Sequence, residues 1–163
     1  MVRTNSRRGF ILGAVISALL GFASAQEPTV HEVKMLNINP DNPRERMVFV
    51  PKVLKIQPGD SVKFISTDFG HNTQTSDGMI PAGTEGWKSK AGEDFTVTLT
   101  EPGLYGYNCQ PHVAAGMVGL IIVEGEGMLQ NLEEAKAVRQ VGLARRVWDD
   151  IWTEVESMDH TNL

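Results

Sequence analysis

Between Val30 and Val123 the chain is divided into short apolar or alternating runs by turns built on proline and glycine. That pattern restricts this part of the chain to an all-β sandwich. The expected strands are Val30 to Leu36, Met47 to Val50, Val53 to Gln57, Ser61 to Ser66, Phe95 to Thr100, Leu104 to Asn108 and Val118 to Val123. In Ser61-Val62-Lys63-Phe64-Ile65-Ser66 and Phe95-Thr96-Val97-Thr98-Leu99 apolar side chains recur at every second position, as a strand with one buried face requires. Val118 to Val123 is nearly continuous in apolar residues and is placed centrally in its sheet. Pro58-Gly59-Asp60 and Glu101-Pro102-Gly103 punctuate the strands, the proline pre-setting φ and the glycine allowing a positive one. Asn39-Pro40-Asp41-Asn42-Pro43-Arg44 is a further loop. From His71 to Phe95 the sequence is rich in Gly, Ser and Thr and has little periodicity, which gives a long loop with room for a short strand.

After Glu124-Gly125-Glu126-Gly127 the pattern changes. Asn131 followed by Glu134 has the form of a capping box and opens a helix through about Arg139, with Gly142 as its breaker. Leu143, Val147, Trp148, Ile151, Trp152 and Val155 then recur at spacings of three and four, the apolar stripe of an amphipathic helix. Such a stripe has to be buried, and an open face or edge of the sandwich is the place for it, with Trp148 and Trp152 as core anchors. Asp149, Asp150, Glu154 and Glu156 form the solvated face.

Residues 1–25 read as a cleaved export signal. Arg3, Arg7 and Arg8 make a positive start, Phe10 to Ala23 an apolar run, and Ala23-Ser24-Ala25 a small-residue cleavage site. The run is shorter than the roughly 20 residues that span a bilayer, which disfavours a retained anchor. Ser6-Arg7-Arg8-Gly9-Phe10-Ile11-Leu12 resembles a twin-arginine signal, and general secretion is the alternative; both routes lead to the periplasm. Residues 26–163 are then one domain, with a helical extension over 128–160. The whole chain carries a net charge of −5, and loss of the three basic residues in the leader deepens it to −8. That charge argues against nucleic acid as the partner.

The chain has a single cysteine, so an exported form cannot make an internal disulfide, and the thiol needs another purpose. Cys109 lies in Cys109-Gln110-Pro111-His112-Val113-Ala114-Ala115-Gly116-Met117, which gathers a thiolate, an imidazole and a thioether. Soft sulfur ligands select Cu(I), imidazole also suits Cu(II), and a His₂Cys site with a long axial Met shuttles single electrons. His71, in the turn Gly70-His71-Asn72, supplies the second imidazole. The proposed ligands of one copper ion are His71, Cys109, His112 and Met117. Zinc competes less well, because its sites use Cys, His and carboxylate rather than a thioether. Pro111 has no N–H and cannot donate to the Cys109 sulfur, which favours strong thiolate donation and a lower potential. His31 and His160 fall outside the constellation and are assigned to the surface.

Met47-Val48-Phe49-Val50-Pro51, Pro58-Gly59-Asp60, Gly70-His71-Asn72, Gly78-Met79-Ile80-Pro81, Pro102-Gly103-Leu104-Tyr105-Gly106, Cys109-x-Pro111-His112 and Gly116-Met117-Val118-Gly119 resemble, in order, the pattern of the pseudoazurins. The resemblance covers the chain beyond the leader, and the two C-terminal helices favour this family over plastocyanins and amicyanins. It implies a cupredoxin-like Greek-key sandwich and a non-enzymatic carrier of single electrons, cycling between Cu(I) and Cu(II). The implied partners are a cytochrome c-type donor and a nitrite or nitrous oxide reductase-type acceptor. Asn72 resembles the residue that donates to the cysteine sulfur and ties the two ligand loops together. An apolar docking patch around His112 is expected from Pro111, Val113, Ala114, Ala115, Met47 and Pro81. Phe69 and Asn108 stand where the family often has lysine, while Lys88 and Lys90 resemble retained members of a lysine ring, so steering toward an acidic partner is expected to be weak. A copper storage or delivery protein is the alternative function, a non-metal interaction domain a third, and a monomer is the default state.

Overall fold

The computed structural model describes residues 27–159. The leader and His160 lie outside them. Eight strands form two four-stranded sheets. The first has the order β2 (Arg46–Val50), β1 (Val30–Ile38), β4 (Ser61–Ile65), β6 (Phe95–Thr98). The second has the order β3 (Val53–Ile56), β8 (Val118–Val123), β7 (Gly103–Asn108), β5 (Gln74–Thr75). β1 runs parallel to β4 and β3 parallel to β8, so the chain changes sheet rather than returning by simple hairpins. A 3₁₀ turn (Gln110–Ala115) joins β7 to β8, and α1 (Leu132–Ala137) and α2 (Ala144–Asp159) follow. Among the described residues no helix is long and apolar enough to cross a membrane.

The alternation read from the sequence sorts side chains between two cores. Val33, Met35, Phe49, Val62, Phe64, Tyr105, Tyr107 and Ile121 pack between the sheets, with the Tyr107 ring edge-on to Phe49 and Phe64 at centroid separations of 4.8 and 5.1 Å. Leu104, Val118, Leu120 and Ile122 point the other way, against Ala135, Trp148, Ile151, Trp152 and Val155 of the helices. β8 is therefore central and buried on both faces, which is why its sequence is apolar throughout.

The capping box expected at Asn131 is absent. Asn131 makes no side-chain cap. Its carboxamide instead accepts the Leu104 N–H at 3.1 Å and donates to the Leu104 carbonyl at 2.9 Å. The cause lies in the neighbouring sheet, because β5 pairs only with Tyr107 and Asn108 and leaves the rest of that β7 edge bare. Buried main-chain groups require partners. Met79 and Ser76 serve Gly106, and Asn131 serves Leu104. α1 also ends earlier than expected, at Ala137, where Val138 turns extended, and Gly142 plays no part in stopping it.

The stretch from His71 to Phe95 is held by the main-chain bonds Thr75 to Trp87 (3.0 Å) and Ser89 to Thr73 (2.8 Å), and the Trp87 indole N–H donates to Thr73 Oγ1 at 3.1 Å. His31, expected at the surface, is half-buried and paired with Asp60 at 2.8 Å.

Asp60 ties the 58–60 turn to the first strand. Its carboxylate accepts the N–H groups of Thr29 (2.8 Å) and Gln57 (3.1 Å) as well as the His31 contact. The Thr29 N–H first, then His31 and Gln57, hold its carboxyl below the usual range. Ionised Asp60 therefore contributes stability that is complete above the ordinary carboxylate value of about 4 and is lost as pH falls through the lower native value. Asp60→Asn is expected to cost about 2 kcal/mol at pH 7. Urea denaturation of both proteins should show the gap closing at acid pH.

Candidate metal centre

Three donors converge at the end of the inter-sheet core. His71 follows Gly70, whose φ of +94° turns the chain inward ahead of β5, and the imidazole is fully buried. Cys109 continues β7 into the core and is also fully buried. His112 sits in the 3₁₀ turn and is half-exposed. The two Nδ1 atoms are 3.1 Å apart, and Cys109 Sγ lies 3.7 Å from that of His71 and 3.4 Å from that of His112. Their ligand atoms all fall within 4.8 Å of one another.

The loop that carries them is closed by its own main chain. Cys109 N–H donates to Met117 C=O at 3.0 Å, Met117 N–H to His112 C=O at 3.2 Å, and His112 N–H to Cys109 C=O at 3.0 Å. Gly116, at φ +95°, ends the 3₁₀ turn and starts the return into β8. Met117 is fully buried in the inter-sheet core with Cys109.

The surroundings prepare these groups for a cation. His71 Nε2 faces Asn37 Oδ1 at 3.0 Å. That oxygen only accepts, so Nε2 carries the proton and the Nδ1 lone pair faces the other donors. Burial first, and the neighbouring His112 second, press the His71 pKa down and keep the ring neutral, against a smaller opposing pull from Asp68. Burial pushes the Cys109 thiol up, while the main-chain N–H groups of Asn72 and His112 pull the other way. A thiol so placed ionises when a cation shares the site. Two imidazole nitrogens and one sulfur converging in this way are the donor set of a soft transition-metal ion.

Asn72 bridges the two ligand loops, its Oδ1 accepting the Gln110 N–H at 2.8 Å. Asn37 escaped the sequence reading. It shares the face of β1 that carries Val33 and Met35 but lies at the exposed end of the strand, and a polar residue in that register is the available signal.

A pattern of copper-binding proteins of the plastocyanin/azurin family matches residues 36–124. The chain is 41% identical to the pseudoazurin of Paracoccus pantotrophus over 138 residues, 85% of this chain and 92% of that one. The chain belongs to the pseudoazurins. The refined crystal structure of pseudoazurin from Methylobacterium extorquens AM1 superposes with a TM-score of 0.71 at 39% identity, covering 77% of this chain and 98% of that one. Native pseudoazurin from Hyphomicrobium denitrificans gives 0.68 at 32% identity, covering 74% and 94%. The expected cupredoxin sandwich with C-terminal helices holds, as do a copper cofactor and a non-enzymatic electron carrier.

Around His112 the expected patch needs one correction. Pro111, Ala114 and Ala115 are exposed, and Val113 and Met47 are half-buried. Pro81 is buried against Gly103, at the end of β7 remote from Cys109. The 76–81 segment runs along the β7 edge away from the cysteine, and Met79 is already bonded to Gly106. Phe69 is 90% exposed. Asn108 is turned toward β5, donating to Ser76 Oγ at 2.8 Å. Lys88 and Lys90 are exposed, and Lys90 has Glu93 at 3.9 Å.

Proposed function

We propose that the chain is a periplasmic type 1 (blue) copper protein with His71, Cys109, His112 and Met117 as the ligands of one copper ion. The convergence of two imidazole nitrogens and one buried sulfur on a single point supports this most directly. Copper bound there supplies a one-electron couple. The chain's own part is to hold the donors still: the strands fix Cys109 and Met117, the loop's main-chain bonds fix His112, and Asn37 and Asn72 fix the His71 side. A pre-formed donor set suits both oxidation states and spares the chain rearrangement on transfer. His112 alone of the three converging donors reaches solvent, which makes its edge the exit for the electron.

The partners on this reading are a cytochrome c-type donor and a nitrite or nitrous oxide reductase-type acceptor, met through the small apolar surface around His112 in brief encounters. Removal of residues 1–25 leaves residues 26–163 as a single exported domain. Cu(II) added to that purified domain is expected to give an intense blue colour that a one-electron reductant bleaches and an oxidant restores. A colourless complex with Cu(I) alone would instead mark a storage or delivery protein. No uptake would mark an interaction domain.

A further inference from the structure

The connector between α1 and α2 touches the metal loop at Ala114, one of its exposed residues. Gly142 takes φ +54°, and a Cβ built there would stand 2.3 Å from the Ala114 carbonyl oxygen. The next residue, Leu143, donates its N–H to that same oxygen at 2.8 Å. Beneath the arc, a Cβ on Gly116 would lie 3.1 Å from Val147 Cγ2 and 3.5 Å from Leu143 Cβ. The contacts at Ala114 are with backbone, so they cannot be relieved by a side chain swinging away.

We propose that the helical tail is a positioning element of the metal centre, with Gly142 as the positioning residue. It sets where Ala114 rests, and Ala114 lies midway along the arc whose ends are His112 and Met117. The tail thus fixes the separation of the half-exposed imidazole from the buried thioether. α2 is well anchored for the purpose, since Trp148, Ile151, Trp152 and Val155 are all sunk against the second sheet. The proposal rests on the ligand set given above.

Gly142→Ala in the copper-loaded protein tests it, with Gly59→Ala as the control. Gly59 has φ +94° with nothing within 4 Å of its Cβ position, so it carries the left-handed backbone cost of a side chain without any clash. Gly142→Ala is expected to shift the midpoint potential and the intensity ratio of the two thiolate-to-copper absorption bands, while Gly59→Ala leaves both at the wild-type values. Unchanged potential and ratio in folded Gly142→Ala, or equal changes in the control, would overturn the proposal. Should Gly142→Ala fail to fold, Val147→Ala removes the contact beneath Gly116 at a half-buried site, and an unchanged spectrum there counts against the proposal equally. A wild-type protein lacking the thiolate bands would overturn the ligand set itself, which separates the two failures.

Discussion

Cys109→Ser is expected to abolish the intense visible absorption of the copper-loaded protein completely, with loss of reversible one-electron reduction. The chain has no second cysteine to take over. Serine is close in size to cysteine, but its hydroxyl is a hard and weakly acidic donor that does not replace a thiolate on copper. Loss of an outer-shell partner commonly lowers metal affinity by about 10- to 100-fold. Loss of this sulfur should exceed that range, as read by competition with a chelator of known affinity. Far-ultraviolet dichroism should be unchanged, because the Asn72 N–H that faces the sulfur can bond to the hydroxyl instead. Retention of blue colour in the variant would sink the assignment of Cys109 as the thiolate ligand.

Trp148→Ala is expected to carry the largest stability effect of any single change, about 3–5 kcal/mol. The side chain is 1% exposed, stacks on Trp152 with centroids 4.9 Å apart, and approaches Gly106 on β7. Removing it hollows the core between the second sheet and the helices at the point where α2 is pinned. Remaining atoms in a close-packed interior collapse only in part, so the cavity adds to the lost transfer energy. Trp148→Phe keeps most of the volume and should cost clearly less. Equilibrium urea denaturation of the two variants measures the difference. A loss under about 1 kcal/mol for the alanine variant would mean that the site can close over the gap.

These cases show which kind of information was local. β8 and the apolar stripe of α2 were legible because each residue's burial follows from a period of its own segment. The three converging donors were legible because two lie three positions apart in one loop and the third sits in a turn between strands. Asn131 departs from its local capping pattern because a distant demand, the bare β7 edge at Leu104, competes for its side chain, and no window around Asn131 contains that demand. β5 is two residues long and exists only where Tyr107 and Asn108 offer it a partner, so periodicity could not reveal it. Pro81, which packs at Gly103 and not at the metal loop, shows a related limit. A motif in the correct order along the chain does not say which end of a strand it will reach. His31 likewise owes its half-buried position to a partner, Asp60, that comes from the turn before β4.

Apart from the bond that Ala114 accepts from Leu143, the metal loop's main-chain bonds begin and end within the loop, and its two ends meet across a 3.0 Å bond from Cys109 to Met117. It behaves as the cap of the β7–β8 ladder, tied to the rest of the chain at Gln110 by Asn72 and at Ala114 by Leu143. Lengthening such a tip by a few residues costs little closure entropy, since that cost rises only with the logarithm of length. Redesign here is limited by headroom instead. The arc at Ala114 already meets Gly142, so a longer tip would have to carry the helical tail outward with it, and the tail acts as a gauge of how large a metal loop this scaffold accepts.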